Sequence, residues 1–282
     1  MIDLHTHSTA SDGTEPPAEV VASAARAGLS VLALTDHDTY AGWKPAAAAV
    51  PECGVALVRG VEISCSHEGT SVHVLAYLLD PHHPPLVREL ARSRESREHR
   101  IEAMVDRMAA DGIPITLEEV RAVAGPGATL GRPHIADALV ARGVVATRDE
   151  AFADILRGGS PYYVSHYAPD PVRAVELVRE AGGVPVMAHP FAAARGRVVG
   201  DDVVEEMASA GLAGLEAHHP DHDSAQRAHA VDLAGRLGLL VTGSSDYHGT
   251  GKANRLGQET TSAAVLEEIE SQASSGVEVV RP

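Results

Sequence analysis

The chain has 282 residues, 39 of them acidic and 23 basic, which leaves a net charge of −16. This length carries one large core or a domain with an insertion, and 44% hydrophobic residues exclude a disordered chain. The acidic balance, with only 3% aromatic residues, argues against long nucleic acid as a partner.

In chain order, IDLHTHS reads as a strand and PPAEVVASAARAGL as a helix that starts on prolines and ends near Gly28. VLALTDHD, GVALVRGVEISC and SVHVLAYLLD supply three more strands. From about residue 82 to 145 the pattern is helical throughout. Residues 84–145 hold nine arginines, no lysine and nine acids. Thr116 before LEE and Thr147 before RDE are capping-box starts. The alternation then resumes. DPVRAVELVREAGG is a helix, VPVMAHP a strand, DVVEEMASAG a helix, LAGLEAHHP a strand, DSAQRAHAVDLAGRLG a helix and LLVTGSSDYHG a strand. Strand–helix alternation predicts a mainly parallel sheet with helices outside. Seven strands over this length fit a closed or nearly closed α/β barrel, with a doubly wound open sheet as the alternative. The expected organisation is a barrel from residues 1–81 and 146–282, with a helical insertion at 82–145.

No apolar run is long enough for a membrane span, and MIDLHTHS reads as neither a signal nor a transit peptide. Cys53 and Cys65 make no disulfide framework, so a cytoplasmic setting is expected. The unusual number is 16 histidines beside only two lysines, Lys44 and Lys252. Imidazole in such excess points to metal chemistry. Side chains two apart on a strand share a face, so His5 and His7 can serve one ion. The same event recurs along the chain. Apolar runs carry or end in Asp36, His37 and Asp38, then Glu62, His73, His189, and Asp246 with His248. In a parallel barrel those ends converge on one mouth. The turn Ser11-Asp12-Gly13 adds a further carboxylate. Asp36 and Asp38 are expected to orient imidazoles from behind.

LHTHSTASDG, TDHD, GVEIS, the strand His73, AHP and SDYHG together resemble the signature of the PHP (polymerase and histidinol phosphatase) superfamily, in order and spacing, from residue 3 to 249. The chain is most similar to the stand-alone branch containing nucleoside 3′,5′-bisphosphate phosphatases and 5′→3′ exoribonucleases for short RNA. The resemblance implies a distorted (β/α)7 barrel with an inserted small helical domain. It also implies nine metal ligands: His5, His7, Asp12, His37, Glu62, His73, His189, Asp246 and His248. These would hold three divalent ions, with Glu62 bridging. His5, His7, Glu62 and Asp246 would serve one ion, Glu62, His73 and His189 the second, and Asp12, His37 and His248 the third. Imidazole and carboxylate without thiolate suit Mn²⁺, Fe²⁺ or Zn²⁺.

Closely spaced ions generate a metal-bound hydroxide and clamp the oxygens of an in-line displacement at phosphorus. A substrate phosphate needs further cations, and the insertion offers them. Arg97 and Arg100 share a helix face with His99 between them, and Arg132 and His134 open the helix of GRPHIADAL. The related phosphatases bind substrate phosphates at the positions matching REHR and RPH. The expected activity is hydrolysis of phosphate monoesters of small nucleotides, such as nucleoside 3′,5′-bisphosphates. A 5′→3′ exoribonuclease on short RNA is the enzyme alternative, and a non-catalytic PHP module that binds a partner is the alternative of another class. His134 or His219 is the candidate proton donor. HHPDH (His218, His219, Asp221, His222) and His166 of SHYAP are lesser site candidates, and Trp43 is expected to pack beneath the TDHD loop.

Overall fold

The computed structural model describes residues 1–282. Seven strands lie in chain order: β1 (Ile2–Asp3), β2 (Val31–Leu34), β3 (Ala56–His67), β4 (Thr70–Tyr77), β5 (Val184–Met187), β6 (Gly214–His218) and β7 (Leu240–Gly243). β1, β2 and β3 pair in parallel, as do β5, β6 and β7. β4 is antiparallel to both its neighbours. Beyond β7, Tyr247 bridges Thr6 in parallel, and the His7 N–H donates to the Tyr247 carbonyl at 2.8 Å. The last strand's extension thus meets the first strand's, and the sheet is a nearly closed barrel.

The reversal of β4 has a local cause. Glu68 and Gly69 both sit at positive φ, 48° and 78°, between the paired residues His67 and Thr70. Two such residues make the tight turn whose twist matches a hairpin. The chain therefore doubles back where the parallel pattern expects a crossover. The start of β4, not its end, lies at the barrel mouth, and His73 stands opposite Ser64 on β3.

Helices α1 (Pro17–Arg26) and α2 (Trp43–Cys53) pack outside the first strands. After β4 come α3 (Pro84–Ala110), α4 (Leu117–Ala124), α5 (Arg132–Ala141) and α6 (Arg148–Ala153), with no strand among them. Then α7 (Pro171–Glu180), α8 (Asp201–Ser209), α9 (Ser224–Leu237) and α10 (Ala263–Gln272) complete the outer layer. Thr116 closes a full capping box with Glu119, and the Thr147 hydroxyl accepts from the Glu150 N–H.

The first half of α3, through Leu86 and Leu90, belongs to the main barrel core. Its second half, from Ile101 to Met108, enters a separate apolar cluster with Val120, Ile135, Leu139 and Leu156. At about 40 Å for 27 residues, α3 is the beam that ties a second core to the first. That cluster runs past residue 145 to Leu156. The following segment returns along α3, where the Arg107 guanidinium donates to the Tyr163 carbonyl at 2.9 Å and Tyr167 N–H to Ser96 Oγ at 2.8 Å. No helix is long and apolar enough to cross a membrane, and both cysteines are free.

Candidate metal centre

His5 and His7 follow β1 on the strand extension that Thr6 anchors, its hydroxyl donating to the Ala33 carbonyl at 2.7 Å. The chain then turns sharply, with the N–H groups of Ser11 and Gly13 both donating to the Ser8 carbonyl at 3.0 Å. A side chain at position 13 would begin 2.5 Å from the His7 carbonyl oxygen, so only glycine closes this turn and presents Asp12. The buried Asp36 carboxylate clamps the loop, accepting from Ser8 N–H and Ser8 Oγ at 2.7 Å and from Ser11 Oγ at 2.8 Å.

The donor atoms converge. His5 Nε2 and His7 Nε2 stand 3.1 Å apart. Each also meets the same two oxygens: Glu62 Oε2 at 3.3 and 3.1 Å, and Asp246 Oδ1 at 3.4 Å from both. The other oxygen of Glu62, Oε1, lies 2.7 Å from His73 Nδ1 and 3.2 Å from His189 Nε2. Asp12 gathers a third set, with His248 Nε2 at 3.3 Å, His7 Nδ1 at 3.7 Å and His37 Nε2 at 3.8 Å. His37 stands between sets, since its Nδ1 is also 3.1 Å from Glu62 Oε2. His73 is the most accessible of them, its side chain 19% exposed, and the others are buried or nearly so.

Burial opposes ionisation of Asp12, Glu62 and Asp246, but the surrounding imidazoles, with Lys252 and Arg195 at Asp246, hold all three carboxyls well below their usual range. Burial also opposes charge on His5 and His7. Glu216, Glu62 and Asp246 outweigh it at His5, and Asp246 and Glu62 push His7 up to about 9. Burial lowers His37 and His189 well below the ordinary imidazole value, and burial and Lys252 push His248 down to about 4. The donor set therefore fits divalent cations: ionised carboxylates, unprotonated imidazoles, and two imidazoles whose protons a cation would displace. His37 Nδ1 is buried, and its contact with Glu62 lacks hydrogen-bond geometry. A bound cation would satisfy such an orphaned donor atom.

Around this cage lies a second ring of contacts. Glu216, on β6 and fully buried, accepts from His5 Nδ1 at 3.0 Å and from the His189 N–H at 2.8 Å. Arg195 donates to Asp246 and, at 2.5 Å, to Asp221. Lys252 Nζ donates to Asp246 Oδ2 at 2.8 Å. Asp38, His189 and Asp246 sit at positive φ, 54°, 32° and 53°; non-glycine residues held there concentrate at functional sites.

On the α3 side, Arg97 Nε donates to Asp38 Oδ2 at 2.9 Å, and its NH2 reaches Ser64 Oγ. The buried Arg100 guanidinium lies 5.0 Å from the centre of the Tyr163 ring, and that of Arg132 lies 5.7 Å from it. Burial and mutual repulsion within Arg97, Arg100 and Arg132 lower the pKa of Arg100 to about 10. His134 is buried, and its Nδ1 accepts the Gly131 N–H at 3.0 Å, bracing the start of α5. His99 is exposed to solvent, on a different face of α3 from its two arginine neighbours.

The family model of the PHP domain matches residues 3–95. The 3′,5′-nucleoside bisphosphate phosphatase of Chromobacterium violaceum is 35% identical over 255 residues, 90% of this chain and 89% of that protein. A 5′-3′ exoribonuclease of Haemophilus influenzae is 39% identical over 189 residues, 67% of this chain and 68% of that one. The crystal structure of a protein from Bifidobacterium adolescentis, described as a metal-dependent phosphoesterase, matches with a TM-score of 0.94 at 41% identity, covering 97% of this chain and 96% of that one.

The chain belongs to the PHP family. Within the PHP barrel, several contacts differ from the sequence expectation. Asp36 and Asp38 do not orient imidazoles: Asp36 holds two serines, and Asp38 holds Arg97 and the Ser64 N–H. Their side chains leave the strand end toward the neighbouring loop and α3, and Asp36 reaches an imidazole only through Ser11 Oγ, 3.4 Å from His7 Nδ1. The carboxylate behind His5 is Glu216 instead. A lone acid inside the apolar run LAGLEAH was its available signal, because a buried charge in a strand needs a partner. Arg195 ends the short 3-10 turn Ala193–Arg195 and Lys252 lies in a loop, neither with a periodic pattern, and nothing in the sequence marked their meeting at Asp246. His219 and His222 are buried: His222 Nδ1 donates to the Ala217 carbonyl at 2.9 Å, which makes it a strut of the loop. Trp43 donates from Nε1 to the Gly60 carbonyl at 2.7 Å.

Proposed function

We propose that this PHP protein hydrolyses phosphate monoesters of small nucleotides that carry a second phosphate, with the nine convergent side chains holding three divalent ions. The observation that carries the reading is the convergence of His5, His7, Glu62 and Asp246 on one point beside a cluster of three arginines. Phosphoester hydrolysis as the reaction class is supported independently by the relatives, which are named a phosphatase, an exoribonuclease and a phosphoesterase.

His5, His7, Glu62 and Asp246 would hold one ion, Glu62, His73 and His189 a second, and Asp12, His37 and His248 a third. Bound there, divalent ions would supply Lewis acidity toward the phosphoryl oxygens and lower the pKa of a water. The chain's own part is positioning. Glu216 keeps the His5 proton on Nδ1, which leaves Nε2 free to face the cage. Asp221 N–H donates to His219 Nδ1 at 2.9 Å, so an imidazole with a single proton carries it on Nε2, 3.5 Å from Asp246 Oδ2. That proton is available to the departing ester oxygen when the P–O bond breaks and the oxygen of water takes its place on phosphorus. His134 Nδ1 likewise accepts the Gly131 N–H and leaves a proton on Nε2, but it is His219 that faces a carboxylate of the cage, and this favours His219 as the donor. Arg97, Arg100 and Arg132 would receive the second phosphate.

The test compares a nucleoside 3′,5′-bisphosphate with the corresponding 5′-monophosphate. Preference for the bisphosphate, lost in Arg132→Ala, supports the reading, and equal rates on the two substrates defeat it. A second reading, 5′→3′ hydrolysis of short RNA at the same cage, is favoured by the 39% identity to an exoribonuclease. Release of mononucleotides from a labelled trinucleotide would establish it.

A further inference from the structure

One imidazole that the cage does not use stands beside the arginines. His166 lies in the segment that returns along α3. Arg107 holds the Tyr163 carbonyl at 2.9 Å, Ser96 Oγ holds the Tyr167 N–H at 2.8 Å, and the Arg92 guanidinium covers the Tyr167 ring at 3.5 Å. These ties fix the backbone on either side of His166. The Tyr163 ring at the same time lies near both Arg100 and Arg132. The 160–167 segment therefore flanks the arginine cluster, from outside the residues where the sequence placed the insertion.

Two nitrogens of this region, Arg100 Nε and His166 Nε2, are buried with no protein partner. Leaving a buried polar atom unpaired is costly, and such atoms are normally satisfied by something that binds there. The charged and titratable groups facing His166 are Arg97 and Arg100 on α3, Arg132 on α5 and His73 on β4. Burial first, and then these four groups, push its pKa down to about 3. His166 is thus neutral in the free protein and can add a hydrogen bond without adding to the repulsion among the guanidiniums.

We propose that His166 is a specificity-determining residue, which binds the second phosphate of the substrate through Nε2 together with Arg97, Arg100 and Arg132. This rests on the two-phosphate reading above and deepens it. A phosphate oxygen at Nε2 pairs the orphaned nitrogen, and the phosphate charge offsets the cluster that keeps His166 neutral.

The experiment measures kcat and KM of the metal-loaded wild type, His166→Ala, His166→Gln and Arg132→Ala. The substrates are adenosine 3′,5′-bisphosphate and p-nitrophenyl phosphate, which has no second phosphate. Thermal melting checks the fold. In His166→Ala the ratio of kcat/KM for the bisphosphate over that for p-nitrophenyl phosphate falls at least about ten-fold, the size of one hydrogen bond to a charged group, and mainly through KM. His166→Gln, which restores an N–H, recovers part of the ratio. If Arg132→Ala lowers the ratio and His166→Ala does not, the role of His166 is overturned and the two-phosphate reading stands. If neither variant moves the ratio, the two-phosphate reading itself falls. Equal losses on both substrates in His166→Ala would make the residue structural and overturn the proposal as well.

Discussion

Glu216→Gln tests the cage at its most determinate point. Glu216 accepts two hydrogen bonds at once, from His5 Nδ1–H on one oxygen and from the His189 backbone N–H on the other. An amide offers one acceptor and one donor. The His189 N–H cannot become an acceptor, so the glutamine oxygen goes to it and the NH2 group turns to His5 Nδ1. That nitrogen must then accept, and the imidazole proton moves to Nε2, the atom that converges with His7, Glu62 and Asp246. A protonated Nε2 has no lone pair for a cation. Loss of such a supporting partner typically lowers metal affinity about 10- to 100-fold, roughly 1.4–2.7 kcal/mol. The assay is equilibrium dialysis against graded Mn²⁺ followed by metal analysis, with far-ultraviolet circular dichroism as the check on folding. A Glu216→Gln protein that folds and fills with the same affinity as wild type would refute the argument that this carboxylate sets the His5 tautomer.

Three further outcomes are expected. Asp246→Asn removes a carboxylate that meets His5, His7, Arg195 and Lys252; it should reduce phosphoester hydrolysis to background while the circular dichroism spectrum is kept, and wild-type turnover would count against the cage. His166 has a folded pKa of about 3, below its unfolded value of about 6.5. As pH falls below 6.5 the unfolded chain binds a proton that the folded one refuses, so stability is lost progressively from pH 6.5 toward 3. Urea melts of metal-free protein at pH 6 and 5 should show wild type losing on the order of 1 kcal/mol more than His166→Gln, and parallel losses would contradict the shift. Ile135→Ala, fully buried in the cluster of the α3–α6 helices, should cost about 2–5 kcal/mol in denaturant unfolding; a smaller loss would show that this cluster can collapse around the gap.

Much of this protein is written locally. Alternating apolar strands and capped helices, the helical stretch after β4, and the habit of ending apolar runs in His, Asp or Glu are all patterns of neighbouring residues, and a family signature from residue 3 to 249 rests on them. Three-residue spacing and a proline-led helix start, both short-range signals, also made Arg97, Arg100 and Arg132 candidates for one site, and the structure brings the three close together. The strand–helix pattern predicted a parallel sheet at β4, where the Glu68-Gly69 turn instead reverses the chain into a hairpin. The tertiary structure decided that His73 reaches Glu62 from the first half of its strand, that Glu216 stands behind His5, that Arg195 and Lys252 meet at Asp246, and that the 160–167 segment flanks the arginine cluster. The contacts of Glu216 with His5, of Arg195 with Asp246 and of Tyr163 with Arg100 join residues far apart in the chain, and those of His73 and Lys252 depend on strand direction or on a loop's return path. Periodicity sets which face a side chain takes, but only the packing of distant elements sets what stands opposite it.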